Sequence, residues 1–430
     1  MTQDAPSQAA SRPPRRHDLD AIRVVAFGLL ILYHLGMFYV PWDWHVNSQR
    51  PVEALQPLMW LTNPWRLSLL FLVSGAATRL LFQTYQSQGP GAAERLGGSR
   101  LLRLGLPLIF AMLVIVPPQT YYEVVQSVRD QALYSDLYHN PLTADFWLRY
   151  VTASGDWCAE EACLITPTWN HLWFVAYVLV YGLLAALFVG WLGPRLDNLS
   201  AHFDRTFCGI GLFVWPLLYL ALIRLLLHPR FPVTHDLVQD LYTHALSFFA
   251  YGFGFFVVCA PRVTQSLKRF RLAFLILALA SYGAFITYMT LSDGTPPAAL
   301  KQAMRVVYAI DQWAFIAAIL GYAAQYVTRP SRLLTYLGGG IFTYYILHQT
   351  LIVVAAAHIE PLGLALGFEM LSILGLTLIG CALGYEVARR IGPLGLLIGA
   401  SPFKPKSELP AVSSPRQSVV TSTSSHTAKP

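Results

Sequence analysis

Within one apolar run of this 430-residue chain, Arg23 and His34 are the residues whose types and spacing best suit chemistry. Eleven helical steps place them ~16 Å apart along the axis and about 20° from a shared azimuth. One helix face then carries a cation near one membrane boundary and an imidazole well into the bilayer, toward the other side. Ionisable groups inside apolar spans are costly and usually face a polar interior. A neutral His34 can take a proton from a hydroxyl as that oxygen attacks a thioester. A structural histidine on an apolar face is the competing reading.

Other polar residues fall at matching depths. The second apolar run brings Arg66 and Ser74, the fourth opens with His171 and Trp173, the eighth holds Asp311, and the ninth carries Tyr345 and His348. These seven are candidates for placing an acceptor or orienting the imidazole. Three imidazoles, His34, His171 and His348, are expected to converge. At the opposite mouth Arg100 and Arg103 lie one turn apart near the level of Arg23. Guanidinium groups suit phosphates, so this cluster fits an anionic donor with a long arm, as in acyl-CoA. A plain charge anchor that resists translocation fits Arg100 and Arg103 as well. No metal or permanently bound cofactor is expected, because no ligand pair accompanies Cys158 and Cys163.

The elements that must position these groups are membrane spans. Hydrophobic residues make up 55% of the chain and charged residues 12%, a balance that suits lipid as the surrounding solvent. Apolar runs cover roughly 20–40, 61–83, 103–121, 169–191, 207–227, 241–260, 273–291, 304–327, 334–357 and 367–388. The expected fold is an all-α polytopic bundle of about ten spans. With the N-terminus inside, only eight of the 30 Lys and Arg residues face outward, which places both termini in the cytoplasm. The net charge of +7 is thereby spent on orientation, and nucleic-acid binding is not expected. The first run leads into Pro41, Trp42 and Asp43 rather than a small-residue cleavage site, so it reads as a retained span.

The expected organisation is a disordered tail over 1–16, a membrane domain over 17–395 and a second disordered tail over 396–430, the tails being rich in Ser, Thr, Pro, Gln and Ala. An outer loop at about 121–168, acidic and aromatic, is either a folded cap or a mobile linker. Cys158 and Cys163 share it, as a disulfide or as two free thiols.

Leu19 to His34, LDAIRVVAFGLLILYH, resembles the hallmark of membrane acyltransferase family three, an Arg followed by ten residues and a His in the first span. FLVSG at Phe71–Gly75, RLLRLGLP at Arg100–Pro107, HLWF at His171–Phe174 and TYYILHQT at Thr343–Thr350 are similar to further family segments, in family-like order. WHVNS at Trp44–Ser48 resembles the glucan biosynthesis C subgroup, associated with succinylation of periplasmic glucans. The resemblance implies a bacterial inner-membrane O-acyltransferase, with acyl-CoA (succinyl-CoA or acetyl-CoA) as cytoplasmic co-substrate and a periplasmic glycan as acceptor. It carries the family's catalytic His onto His34, its paired Arg onto Arg23, and its donor-site arginines onto Arg100 and Arg103. A transporter exporting an acylated or glycan metabolite is the rival class. Its expected internal repeats are not seen, although Gly338, Gly339 and Gly340 loosen the ninth span.

Overall fold

The computed structural model describes residues 16–129, 144–155, 157–159, 162–292 and 295–400. Residues 1–15 and 401–430, where the expected tails mostly fall, and the loop segment 130–143 lie outside the described residues. The packed region runs on to Ala400, a few residues past the expected tail boundary at 396. There Thr343 Oγ1 donates to Ile398 O and Ala400 is buried.

Helix α1, His17–Tyr39, starts with Asp18 and Asp20 in its first turn, where carboxylates complement the helix dipole. It stops at Val40, whose extended backbone is what a residue before Pro41 prefers. A short helix, α2 (Gln56–Thr62), leads into α3 (Arg66–Gln86). Next come α4 (Ala92–Arg100), a π turn (Leu101–Gly105), α5 (Leu106–Val114) and α6 (Pro117–Arg129). The loop after α6 contributes α7 (Ala144–Val151) and two short strands pairing Cys158 with Cys163, which form a disulfide. Helices α8 (Trp173–Leu192), α9 (Arg195–Thr206), α10 (Gly211–Leu226) and α11 (Leu241–Val257) follow. The chain then forms α12 (Pro261–Leu291), α13 (Ala298–Tyr326), α14 (Arg332–Ile359), α15 (Leu366–Ala388) and α16 (Gly392–Leu397).

Among the described residues, eight helical runs are long and apolar enough to cross a membrane, and a bent pair counted as one span brings the number to nine. The chain is therefore a polytopic helical membrane protein, and two of the ten expected spans need correcting. The span expected at 207–227 is α10, only 16 residues long, and the amphipathic α9 before it meets it at a 97° bend. Gly209, at φ +58°, lies at the bend, in the left-handed region that glycine enters without steric cost. The span expected at 241–260 is α11, only 17 residues long and thus about 25 Å.

Helix α11 gains its place by a close crossing with α3. A Cβ at Gly75 would run into the Tyr251 carbonyl, and one at Gly254 into the Leu72 carbonyl. FLVSG therefore marks a backbone-to-backbone contact of the small-residue kind that lipid-embedded helices use. The faces of α12 and α15 away from the bundle expose Leu272, Ile276, Leu279, Phe368, Leu371 and Leu383, as lipid permits. The described parts of the loop after α6 pack onto the bundle: Phe146, Tyr150 and Trp157 are buried, and Tyr150 OH shares its proton between Met112 O and Thr168 O.

Candidate active site

His34 sits on the half of α1 that lines a cavity of about 830 Å³. Lining residues also come from the starts of α3 and α8, the end of α10, the α10–α11 connection, α13 and α14. Behind the His34 ring lies His348, with His34 Nδ1 and His348 Nε2 2.8 Å apart. His348 Nδ1 lies 2.7 Å from Tyr345 O, a carbonyl that can only accept. In neutral His348, Nδ1 therefore carries the proton and Nε2 accepts. His34 must then donate from Nδ1, which leaves the Nε2 lone pair free. Two hydrogen bonds thus select the tautomer a general base needs.

The third imidazole is fixed by the same logic. His171 Nε2 lies 3.1 Å from Tyr345 O and 3.2 Å from Ile346 O, so it donates there, and Nδ1 accepts from Gln119 Nε2 at 3.4 Å. Gln119 also donates to Thr350 Oγ1 and accepts from Gln349 and Asn170. Thr350 Oγ1 passes its own proton to Ile115 O. Every donor in this network has a use, and the rings of His171 and His348 meet edge to face. Tyr345 supplies the shared carbonyl, and its hydroxyl donates to His171 O. The convergence of His34, His171 and His348 expected from depth is thus present.

The mouth is built from the segment after α1. Asn47 Nδ2 donates to Trp42 O, Asn47 N donates to Gln126 Oε1, and Ser48 Oγ donates to Glu360 Oε1. His45 pairs with Glu123 at 3.0 Å. Arg50 forms an ion pair with the fully buried Glu369, which also accepts from Tyr39 OH. These ties hold Trp44 with its ring 6.2 Å from that of His34. Across the cavity Trp173 stacks on His235 at 4.1 Å. Arg66 lies over the Tyr33 ring at 3.4 Å and donates to Thr62 Oγ1.

Several expected site residues stand elsewhere. Ser74 does not line the cavity; its hydroxyl donates to Leu70 O, the back-bond a helical serine readily makes. Asp311 points away, so its neighbours Tyr308 and Gln312 line the cavity instead. Neither Asp311 oxygen has a hydrogen-bond partner among the described residues. Nearby Ser281 spends its proton on Leu277 O and Ala278 O. Arg100 and Arg103 are not stacked one α-turn apart, because the π turn changes the helical phase between them. Arg100 turns in to donate to Thr78 Oγ1, which also accepts from Tyr251 OH, whereas Arg103 is exposed. Arg23 Nη2 donates to Gly338 O and ties α1 to α14, the helix that carries His348.

None of Arg23, Arg100 and Arg103 lines the cavity. A layer of rings lies between: Tyr345 packs at 5.5 Å from Phe27 and 5.8 Å from Phe174, which meets Phe71 at 4.6 Å. These rings separate the arginine cluster from the His34 cavity, so the reach of a long-armed donor expected from the sequence has to pass this layer. The sequence reading also passed over Gln119 and Arg224. Gln119 was legible as a lone amide within an apolar run, and Arg224 as a cation inside the fifth.

A family model described as an acyltransferase domain matches residues 16–386. Proteins called glucans biosynthesis protein C, from Salmonella paratyphi B, Salmonella schwarzengrund and Salmonella agona, are each 22% identical over 401 residues. Those alignments cover 90% of this chain and 96% of each relative. No solved structure matches. With the family model spanning most of the chain, the chain belongs to membrane acyltransferase family three.

Proposed function

We propose that the protein is a transmembrane O-acyltransferase of a bacterial inner membrane. It moves an acyl group, succinyl in preference to acetyl, from cytoplasmic acyl-CoA to a hydroxyl of a periplasmic glucan or another cell-envelope glycan. The observation that carries this reading is the His34 Nε2 lone pair, set by His348 and left free on a ring that lines the cavity. The relatives' name, glucans biosynthesis protein C, supports a glucan acceptor, and Trp44, Trp169 and Trp173 give the cavity aromatic faces suited to sugar rings.

His34 Nε2 accepts the proton of the acceptor hydroxyl as its oxygen bonds to the thioester carbonyl carbon. The imidazolium formed donates from Nδ1 to His348 Nε2, a bond that strengthens with the charge. Collapse of the tetrahedral intermediate breaks the C–S bond, and the proton on His34 passes to the departing thiolate. Arg23, Arg100 and Arg103 hold the CoA phosphates at the opposite end of the bundle. The thioester reaches His34 when the layer of Phe27, Phe174 and Tyr345 parts. His171, Trp173 and Tyr345 shape the acceptor side and hold the imidazoles.

Purified protein in detergent, given labelled acyl-CoA and glucan, should transfer the label; a pure carrier would not. His34→Ala should lower turnover by roughly 10²–10⁴ while the protein remains membrane-inserted. Wild-type turnover in that variant would remove His34 from the mechanism.

A further inference from the structure

Two cations on the cavity wall lack any carboxylate partner among the described residues. Arg66 is buried, donates to Thr62 Oγ1 and lies on the Tyr33 face, with Nε unpartnered among the described residues. Arg224 donates to Tyr242 OH and lies 3.9 Å over the Tyr308 ring, again with Nε unpartnered. Tyrosine faces make these cations tolerable without neutralising them. Arg66 also opens α3, so the positive end of a 21-residue helix adds to its field.

The neighbouring groups do not cancel the positive sign. His228, beside Arg224 and also on the wall, has a buried Nδ1 without a partner. Burial and the charges of Arg224 and Arg305 hold it down at about 4, so it stays neutral and adds no third cation. Two acidic side chains reach the cavity: Glu123 is engaged by His45, and Asp43 is exposed at the mouth. Buried cations left unpaired are costly, and a bound oxyanion removes that cost.

We propose that Arg66 and Arg224 form an anion subsite of the transfer cavity, which takes a carboxylate. Tyr33 joins this subsite to the base, since it lies under Arg66 and directly precedes His34. The inference rests on the transferase reading for which carboxylate is meant: the far end of a dicarboxylic acyl chain, or an acidic sugar of the acceptor. Recognition by two guanidinium groups does not depend on which source supplies it.

The test uses the full chain in detergent, wild type beside Arg66→Gln, Arg224→Gln and the two Lys variants. The first readout needs no turnover: equilibrium binding of succinamate against its neutral analogue succinamide, and of a carboxylated glucan oligosaccharide against the plain one. Wild type should favour the anionic member of at least one pair, and the Gln variants should lose about 10- to 100-fold of that preference. The Lys variants should retain part of it. The second readout is the kcat/KM ratio for succinyl-CoA over acetyl-CoA, and for acidic over neutral glucan. A fall confined to the first ratio assigns the carboxylate to the acyl chain; a fall confined to the second assigns it to the acceptor. No preference in wild type, or equal losses for anionic and neutral partners, overturns the subsite. If wild type transfers no acyl group but still binds the anion selectively, the transferase reading fails and the subsite stands.

Discussion

Replacing His348 with leucine tests the tautomer argument on its own. Leucine keeps an apolar, similarly sized side chain at a position that is fully buried, but it accepts no hydrogen bond. Tyr345 O keeps the donor it already has in His171 Nε2 at 3.1 Å, so no new orphaned carbonyl arises. His34 Nδ1 loses its only described polar partner, held at 2.8 Å in the wild type. A hydrogen bond to a charged group contributes ~1.5–3 kcal/mol, and the charge on His34 exists only while the hydroxyl proton resides there. The loss therefore falls on the transition state and lowers kcat by roughly 10- to 150-fold, with KM little changed. His348→Gln offers an amide oxygen near the former Nε2 and should recover most of the rate. Steady-state kinetics of both variants in detergent, with melting curves as a folding control, decide the matter. A folded leucine variant with wild-type kcat refutes the reasoning, as does a glutamine variant no better than leucine.

Three further outcomes follow from the packing. Gly254→Leu pushes a side chain into the Leu72 carbonyl and should cost at least ~2 kcal/mol, read as a lower detergent melting temperature or loss of folded protein. Glu369→Gln removes the carboxylate that holds Arg50 and Tyr39; with Arg50 half exposed, ~1–3 kcal/mol of stability should go, seen in the same melt. Trp44→Ala strips an aromatic face from beside His34 and should raise KM for the glycan about 10-fold, by analogy with base–aromatic stacking, while acyl-CoA hydrolysis without acceptor stays as it was.

The imidazole cluster was legible in the sequence because an imidazole in an apolar run is expensive, and three at one depth have little reason to coexist unless they meet. His34, His171 and His348 do meet, and the intervening polar side chains, Gln119 among them, satisfy one another as a network. Residues near the site in depth but not in azimuth were placed wrongly. Asp311 lies one position from Gln312, yet that step turns it about 100° out of the cavity. Ser74 looked like chemistry, while the neighbouring Gly75 was the informative residue, marking where α3 and α11 touch. Arg100 and Arg103 look paired in sequence because periodicity assumes 3.6 residues per turn, and a π turn breaks that assumption. Arg224 was counted as a charge that sets orientation, since a sequence does not distinguish a cation over a buried tyrosine from one in water.

Tyr345 occupies two structures at once. Its ring belongs to the barrier beneath His34, while its carbonyl takes the protons of both His348 and His171. Any rotation of α14 large enough to unseal the barrier also tugs on the acceptor that fixes both tautomers. Moving the ring by its own side-chain torsions leaves that carbonyl in place, whereas moving the whole helix does not.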